Sequence, residues 1–271
     1  MSKVADYPFP VVMIGGFPTA AVSRTALAEC MVQDCMRARA SREDWTPKVV
    51  LSSNGQGIAL AGTDASFASA MAQADIIHAD GMPVVFASRI TQHPLPERIA
   101  TTDFFHDAAR AAEAHGLRFY ILGATEDQNC RAVDAIRRLY PGVEIVGRRN
   151  GYFGSEEDEA VCEEIRRSGA DVLWVALGKP RQEYWALRNR HRLAGVGWIK
   201  TCGGLYAFLA DDVPRAPGWM RAAGLEWLFR AISEPRRLGL RYLTTNPYSL
   251  FRLLRHTDFG TRRPVPVREM Y

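Results

Sequence analysis

Residues 171–201 read DVLWVALGKPRQEYWALRNRHRLAGVGWIKT, and their pattern indicates the fold class. An apolar run at 171–176 is followed by a glycine-containing turn and a helical pattern at 181–193, and a second apolar run follows at 196–201. Short apolar runs that alternate with helices are typical of parallel strands joined by helical crossovers. The stretch therefore predicts a strand–helix–strand unit of a parallel sheet.

The same alternation continues towards the N-terminus. Predicted strands lie at 11–14, 49–52, 75–78, 118–122 and 144–147, and predicted helices at 23–39, 59–72, 82–90, 102–114, 127–139 and 156–167. Strands that alternate with helices form a parallel sheet covered on both faces. We therefore predict an α/β fold, a Rossmann-like parallel sheet with helices on both faces. Ligands of such folds bind at the carboxyl ends of the strands.

The composition excludes several protein classes. Of 271 residues, 47% are hydrophobic and 24% are charged, which is ordinary for a globular protein. No apolar run approaches the ~18 residues that span a bilayer, and residues 1–10 lack the pattern of a signal peptide, so we expect a cytoplasmic protein. The five cysteines are scattered without a Cys-x-x-Cys pair, which supports neither a disulfide framework nor a zinc site.

The positive charge of the chain is concentrated in its C-terminal part. Residues 213–271 contain eleven arginines and no lysine against four acidic residues, a net charge of +7, whereas residues 1–212 have a net charge of −3. Residues 217–256 have a helical pattern broken at Pro235 and Pro247, with arginines among apolar residues. Such segments are typical of helices that bind anionic membrane surfaces. We predict an α/β unit at 1–205 and a helical membrane-binding appendage at 206–271; a helical hairpin packed on the body is the alternative.

Several motifs that would assign other chemistry are missing from the sequence. No Gly-x-Gly-x-x-Gly follows a strand, and there is no Walker loop or Gly-x-Ser-x-Gly elbow. The Asp-x-Asp motif that binds metal and diphosphate in many sugar-nucleotide enzymes is absent, and the six histidines lack the spacing of metal ligands. The sequence therefore favours neither a dinucleotide fold nor a metal site.

Polar residues follow two predicted strands. Asp80 comes after the strand at 75–78 and before Gly81, where a carboxylate is a candidate general base and a glycine leaves room for a ligand. The alternative is an N-cap of the helix at 82–90. Ser52, Ser53 and Asn54 end the preceding strand, where such side chains bind sugar hydroxyls or phosphate oxygens, or else cap a turn or helix.

Three further glycine-containing loops follow predicted strands. They are 178–183, which opens a helix and contains Gln182; 147–153, in which Tyr152 can stack on a ligand; and Gly203-Gly204, followed later by Arg215-Ala216-Pro217. A helix N-terminus favours an anion. Together with Asp80-Gly81 the loops predict one nucleotide-sized pocket, although each alone is also explained as an ordinary turn or surface loop.

The arginines of the tail are candidate phosphate ligands, because a guanidinium binds phosphate with two parallel hydrogen bonds. They are Arg215, Arg221, Arg230, Arg236, Arg237 and Arg241.

The ordered series of motifs over about residues 10–250 resembles the WecG/TagA/CpsF glycosyltransferases, glycosyltransferase family 26. The residues that carry the resemblance are Asp80-Gly81, Ala87-Ser88-Arg89, Glu97-Arg98, Thr102-Asp103, Ile121-Leu122-Gly123, Gly151-Tyr152-Phe153, Gly178-Lys179-Pro180-Arg181-Gln182-Glu183, Gly203-Gly204, Arg215-Ala216-Pro217, Leu225-Glu226-Trp227, Arg230, Glu234-Pro235-Arg236-Arg237 and Arg241-Tyr242.

The resemblance implies an inverting, metal-independent transferase without a cofactor. It would move a sugar from a UDP-sugar to a polyprenyl-diphosphate-linked sugar in surface polysaccharide synthesis, bound peripherally to the cytoplasmic face of the inner membrane. It also implies a possible homo-oligomer. Asp80 matches the proposed base of the family, and Ser52-Ser53-Asn54 matches an upstream Thr-Pro-Asn motif, so the catalytic residues would be Asp80, Ser52 and Asn54.

The resemblance also implies a set of substrate-binding residues. Arg230 and Arg237 match arginines that the family brings to the donor diphosphate, and Arg241 is a nearby substitute. The whole implied set is Arg98, Asp103, Gly123, Gly151, Tyr152, Gly178, Gln182, Glu183, Gly203, Gly204, Arg215, Arg230, Arg237 and Arg241.

The chain departs from the family pattern at three places. Ala207 stands where an aspartate follows Gly-Gly, Asp211-Asp212 replaces Gly-Lys, and Thr101 replaces a glycine. These changes leave the base intact and concern the donor or acceptor sugar; we expect a neutral hexose. The alternative function is a non-catalytic nucleotide-sugar or anionic-membrane binding module. Nucleic-acid binding is not favoured, because no recognised motif for it occurs.

Overall fold

Six strands form the central sheet of the structure, a computed structural model that describes residues 9–42 and 44–259 without the side chains of Arg237 and Leu240. In sheet order they are β4 (Ile76–Ala79), β3 (Lys48–Ser53), β8 (Trp198–Thr201), β7 (Val172–Ala176), β5 (Arg118–Gly123) and β6 (Glu144–Arg149). Every neighbouring pair is parallel, which confirms the predicted parallel sheet.

Helices flank both faces of this sheet. Those that follow or connect its strands are α1 (Arg24–Ala40), α2 (Gly55–Ala61), α3 (Ala65–Ala72), α4 (Met82–Ser88), α5 (Thr101–His115), α6 (Glu126–Leu139), α7 (Asp158–Ser168), α8 (Arg181–Asn189) and α9 (Leu205–Leu209). The C-terminal helices are α10 (Gly218–Ala222), α11 (Glu226–Ser233) and α12 (Leu240–Arg255), with a π-helical turn at Pro235–Gly239 between the last two. Within the described ranges, no helix has the length and apolar content to cross a membrane.

Two apolar layers hold the helices on the sheet. Along β7, Val172 and Trp174 belong to one layer and Leu173 and Val175 to the other, because successive side chains of a strand point to opposite faces. The first layer includes side chains of α1, α5, α6 and α9, and the second includes side chains of α2, α3, α4, α7 and α8. Burial on both faces explains why the strands are continuous apolar runs in the sequence.

Some predicted elements differ from the structure. The strand at 11–14 is not in the main sheet: β1 (Val11–Ile14) pairs antiparallel with β2 (Phe17–Ala20), which was not predicted. The helix predicted at 59–72 is two helices, because Asp64 caps α3 by accepting a hydrogen bond from Phe67 N at 3.0 Å. The remaining boundaries move by a few residues.

The break predicted at Pro247 is wrong, because α12 continues through this residue. A proline inside a helix removes one backbone donor. Contacts on the far side of Pro247 hold the helix in place: Tyr248 donates a hydrogen bond to Gly62 O at 3.1 Å, and Leu253 is buried against the second apolar layer. Packing against the body outweighs the local cost.

The last described helix, α12, packs against the body. A side chain at Gly62 would overlap the Tyr248 hydroxyl and lie 2.7 Å from Arg252 Cδ, so α12 packs directly against the backbone of α2. Beyond α12, His256 O accepts a hydrogen bond from Gly16 N at 2.9 Å, and Thr257 Oγ1 accepts one from Gly15 N at 3.1 Å. The division into units at 1–205 and 206–271 remains a prediction.

Asp171 fixes α1 to the amino end of the sheet. Its carboxylate is 2% exposed and accepts hydrogen bonds from Arg39 Nε at 2.8 Å and from the backbone N of Arg118 at 2.7 Å. Burial alone would raise the pKa of Asp171, but the hydrogen bonds from Arg39 and Arg118 outweigh it and hold the pKa below its usual range. The strand ends opposite this anchor carry the candidate site.

Candidate active site

The carboxyl ends of β4 and β3 lie side by side and bring Asp80 next to Asn54. Asp80 follows β4, and its backbone N donates a hydrogen bond to Ser53 O at 2.8 Å. At Gly81 an added Cβ would lie 3.5 Å from Asn54 Cα, which is an ordinary contact. The ends of these two paired strands are therefore neighbours in the structure.

Asp80 does not cap a helix. The N-cap of α4 is Gly81, which makes no side-chain capping bond, so the alternative interpretation of Asp80 is wrong. Its Oδ2 instead accepts a hydrogen bond from Thr101 Oγ1 at 3.2 Å, and its backbone O accepts one from Arg98 Nε at 3.1 Å. These two hydrogen bonds fix Asp80 in place. Its side chain is still 20% exposed, so the carboxylate reaches solvent.

The surroundings of Asp80 raise the pKa of its carboxyl above the ordinary value. Burial is the main cause, and the nearby carboxylate of Glu226 acts in the same direction. The charges of Arg98 and Lys200 and the hydrogen bond from Thr101 oppose the rise. A carboxylate with a raised pKa is a stronger base than an exposed aspartate, which suits proton abstraction near neutral pH.

Arg98 connects the C-terminal helices to this position. Its NH2 lies 2.5 Å from Glu226 Oε2 and 3.9 Å from Asp80 Oδ1, and the Arg98 and Glu226 side chains are 16% and 12% exposed. Glu226 is the first residue of α11. The predicted binding residue Arg98 is thus already paired within the protein, and α11 lies beside the candidate base.

Ser52 and Asn54 have different surroundings. Asn54 Oδ1 accepts a hydrogen bond from Gly57 N at 3.0 Å and is the N-cap of α2, which confirms the helix-cap alternative for this residue. Ser52 is buried at the end of β3, and its backbone O lies 3.4 Å from the donor Lys179 Nζ. A catalytic role of Ser52 or Asn54 remains a prediction.

The loops after β7 and β8 are joined by buried polar side chains. Glu183 Oε1 lies 2.9 Å from Lys179 Nζ and accepts a hydrogen bond from Gln182 Nε2 at 3.0 Å. Gln182 Oε1 in turn accepts one from Gly203 N at 3.0 Å. Gln182 and Glu183 therefore position the Gly203 loop. A direct contact between either side chain and a substrate remains a prediction.

Three glycines of these loops have free space beside them. A Cβ added at Gly178 or Gly203 would meet no atom within 4 Å, and the same holds for Gly204. The φ angles of Gly178 and Gly203 are +78° and +52°, a left-handed backbone that favours glycine. These loops thus leave room for a ligand at the same edge of the sheet as Asp80.

The loops after β5 and β6 lie farther from Asp80. A side chain at Gly123 would overlap the backbone of Ala176, and one at Gly151 would lie 3.1 Å from Gly123 Cα, so both glycines serve close backbone packing. Tyr152 is 77% exposed. Because strands are ~4.8 Å apart, β6 lies roughly 24 Å across the sheet from β4. All four loops share one edge, but Gly151 and Tyr152 are at its far end.

Two of the predicted charged residues pair with each other. Asp103 Oδ1 lies 2.7 Å from Arg215 NH2 and 3.6 Å from Arg221 NH1, and Arg215 also donates a hydrogen bond to Thr102 Oγ1 at 2.8 Å. Arg215 and Asp103 therefore connect the segment before α10 to the start of α5.

The remaining tail arginines lie in the C-terminal helices. Arg230 packs over the ring of Phe208 on α9 at 5.4 Å and lies 3.8 Å from Glu234 Oε1. Arg241 packs over the Tyr242 ring at 5.1 Å. The side chain of Arg237 lies outside the described part of the structure. The predicted role of these arginines as ligands of the donor diphosphate stays a prediction.

Three residues near Asp80 were not singled out from the sequence as site residues. Thr101 was noted only as a departure from the family pattern, and Glu226 only as part of a motif. Lys200 is fully buried on β8, and burial lowers its pKa to about 8. A lysine inside an apolar strand was the one signal that could have identified it. Within residues 9–42 and 44–259, no three His, Cys, Asp or Glu side chains are grouped as metal ligands.

Comparison with known proteins identifies the family of this chain. The sequence model of the glycosyl transferase WecG/TagA/CpsF family matches residues 12–263. The chain belongs to this family. It is a glycosyltransferase-family protein with a Rossmann-like parallel sheet, which confirms the resemblance found in the sequence.

Individual relatives cover most of the chain. One from Bacillus subtilis (strain 168) is 32% identical over 206 residues, 76% of this chain and 79% of the relative. One from Bacillus spizizenii is 30% identical over 193 residues, 70% and 72% respectively. One from Staphylococcus aureus (strain MW2) is 28% identical over 190 residues, 70% and 74% respectively. All three are named N-acetylglucosaminyldiphosphoundecaprenol N-acetyl-beta-D-mannosaminyltransferase.

Proposed function

We propose that this protein transfers a sugar from a UDP-sugar to a polyprenyl-diphosphate-linked sugar with inversion, and that Asp80 is the general base. The observation that supports it best is the placement of Asp80. This carboxylate ends β4 at the ligand-binding edge of a parallel sheet, has a raised pKa and makes no capping bond. The family membership supports the class of reaction.

The proposed reaction needs one proton transfer and one displacement. Asp80 takes the proton from the acceptor hydroxyl while the oxygen of that hydroxyl forms a bond to the anomeric carbon of the donor. The bond from the anomeric carbon to the diphosphate breaks on the opposite side, and UDP leaves with the electron pair. A single displacement inverts the anomeric centre.

The leaving diphosphate needs positive charge, and we assign it to the tail arginines. Arg230 packs on Phe208 of α9, the helix that directly follows the Gly203-Gly204 loop, and Arg237 and Arg241 follow in the π-helical turn and in α12. Charge-assisted hydrogen bonds of this kind are commonly worth ~1.5–3 kcal/mol each. We propose that they replace a metal ion and that the reaction needs no cofactor.

The relatives suggest where a substrate search should begin. Their names contain N-acetylglucosaminyl-diphospho-undecaprenol and an N-acetylmannosaminyl group. We propose the same class of acceptor for this chain, a sugar joined to a polyprenyl diphosphate. A donor screen with a short-chain acceptor should compare UDP-N-acetylmannosamine with UDP-glucose and UDP-galactose. Transfer from none of the UDP-sugars would refute the proposed function.

We also propose that the C-terminal helices bind an anionic membrane. The apolar residues Leu243, Leu250, Phe251 and Leu254 are exposed along α12, and residues 213–271 have a net charge of +7. Replacing both Leu250 and Leu254 with glutamate should abolish binding to vesicles that contain phosphatidylserine. The matched control is Leu139→Glu, since Leu139 on α6 and Leu250 are both 56% exposed. Unchanged vesicle binding by the double variant would refute this site.

A membrane-binding module without turnover is the second candidate. The exposed apolar residues of α12 favour it as much as they favour a membrane-bound enzyme. Such a module would bind vesicles and release no UDP from any donor, which the donor screen distinguishes.

A further inference from the structure

We propose that Thr101 is a positioning residue for Asp80: its hydroxyl holds Oδ2, so that Oδ1 is the oxygen that takes the proton of the acceptor hydroxyl. The inference rests on the proposed function, because it assigns a role inside the same site. It concerns a residue that the sequence had not identified as part of the site, the first residue of α5.

The contact between the two side chains is direct and sheltered. Thr101 Oγ1 lies 3.2 Å from Asp80 Oδ2, and Thr101 is buried. The backbone around each partner is also fixed. Ala100 O accepts a hydrogen bond from Phe104 N at 2.9 Å at the start of α5, and Asp80 N donates one to Ser53 O at 2.8 Å. The hydroxyl therefore acts on a carboxylate whose backbone is hydrogen-bonded to the sheet.

The two oxygens of Asp80 are unequal as a result. Oδ2 accepts the hydrogen bond from Thr101, whereas Oδ1 accepts none from any side chain that the structure describes. Among these side chains, the nearest cation to Oδ1 is Arg98 NH2 at 3.9 Å. An ion pair at that distance leaves the lone pairs of Oδ1 available. The proton moves from the acceptor hydroxyl to Oδ1, and Thr101 stays bonded to Oδ2 throughout.

A second effect follows from the same bond. A hydroxyl that donates to a carboxylate stabilises its charged form and so lowers the pKa of the acid. Other groups act on Asp80 as well: Arg98 from the loop before α5 and Lys200 from β8 lower its pKa, and Glu226 from α11 raises it. His78 on β4 is fully buried, and burial together with Lys200 keeps its pKa far below the ordinary value, so its ring is neutral.

The test replaces Thr101 with valine, which keeps the shape and removes the hydroxyl. Thr101→Ser restores the hydroxyl and should restore the wild-type behaviour. The matched control is Thr19→Val: Thr19 is also buried, and its Oγ1 also makes a 3.2 Å hydrogen bond, to Phe17 O in the β1–β2 hairpin. Thermal denaturation of all variants checks that they fold.

Two readouts separate this inference from the proposed function. The first needs no turnover: the Asp80 carboxyl is titrated by carbon-13 NMR of the full-length chain, with its signal identified by its loss in Asp80→Asn. Thr101→Val should raise the pKa of Asp80 by about one pH unit, because a hydrogen bond to a charged group is worth about that much. The second is the pH profile of kcat/KM, whose acidic limb should move up by the same amount.

The titration and the pH profile each support or overturn the positioning role of Thr101. A raised titration midpoint in Thr101→Val, normal behaviour in Thr101→Ser and no change in Thr19→Val support it, even if no UDP-sugar is a substrate. A midpoint within about 0.3 units of the wild type overturns it. A lower kcat without a shift of the acidic limb also overturns it, because that is the result of a merely structural role.

Discussion

Replacing Glu226 with alanine should loosen α11 from the body and lower the stability of the protein. Removing one partner of a buried ion pair typically costs ~3–5 kcal/mol. The Arg98 and Glu226 side chains are 16% and 12% exposed, and Arg98 keeps Asp80 Oδ1 at 3.9 Å as a second anion. We therefore expect a loss below this range, about 2 kcal/mol.

Two separate assays measure this effect: thermal denaturation, and limited proteolysis of the folded protein. For a chain of this size, ~1 kcal/mol corresponds to ~2–4 °C in Tm, so Glu226→Ala should lower the Tm by about 4–8 °C and make the segment around α10 and α11 more sensitive to protease. The variant should also lower the pKa of Asp80, because the Glu226 carboxylate raises it in the wild type.

The control for Glu226→Ala is Glu163→Ala. Glu163 pairs with Arg166 and Arg167 at 2.8 and 2.6 Å on the surface of α7, where such pairs contribute little to stability. If the two variants have the same Tm and the same protease sensitivity, α11 is not held by the pair with Arg98, and the reasoning is wrong.

Three further predictions concern other parts of the structure. Gly62→Val should displace α12, because the added side chain overlaps Tyr248 and Arg252, and should make residues 240–255 sensitive to protease. Asp171→Asn should lower the free energy of unfolding by about 3 kcal/mol at pH 7. Because the pKa of Asp171 is lowered in the folded state, this difference is present above the unfolded pKa near ~3.9 and disappears as the pH falls through the folded pKa. Urea unfolding of both proteins at several pH values measures this difference. Transfer activity should survive EDTA but fall at least ~10-fold in Arg237→Ala, since one charge-assisted bond is worth that much; strict dependence on Mg²⁺ or Mn²⁺ would contradict the assignment.

The main sheet was predictable because its strands are buried on both faces. A run such as Val172–Ala176 has no polar alternation, and its alternation with helical patterns along the chain favours a covered parallel sheet. The β1–β2 hairpin was missed because Pro18 interrupts β2 and each strand has only four residues. Pro247 was misinterpreted because local propensity ignores the packing of α12 on α2.

The position of Asp80 was predictable, but its partners were not. A carboxylate after a strand is visible in the sequence, whereas the bonds that fix it come from Thr101, 21 residues later, and from Arg98, which is paired in turn with Glu226, 128 residues farther on. No local pattern encodes such contacts. Asn54, by contrast, caps the helix that directly follows it, so its local alternative was readable from the sequence.

The most direct test of the central claim is the rate of sugar transfer by Asp80→Asn with the donor and acceptor that the screen identifies. Asparagine keeps the size of the side chain but cannot take a proton from the acceptor hydroxyl, and general-base catalysis typically contributes ~10²–10⁴-fold. We predict a folded protein that still binds UDP and has lost at least ~10²-fold in kcat. A turnover close to that of the wild type would contradict the account, because the base would then lie elsewhere.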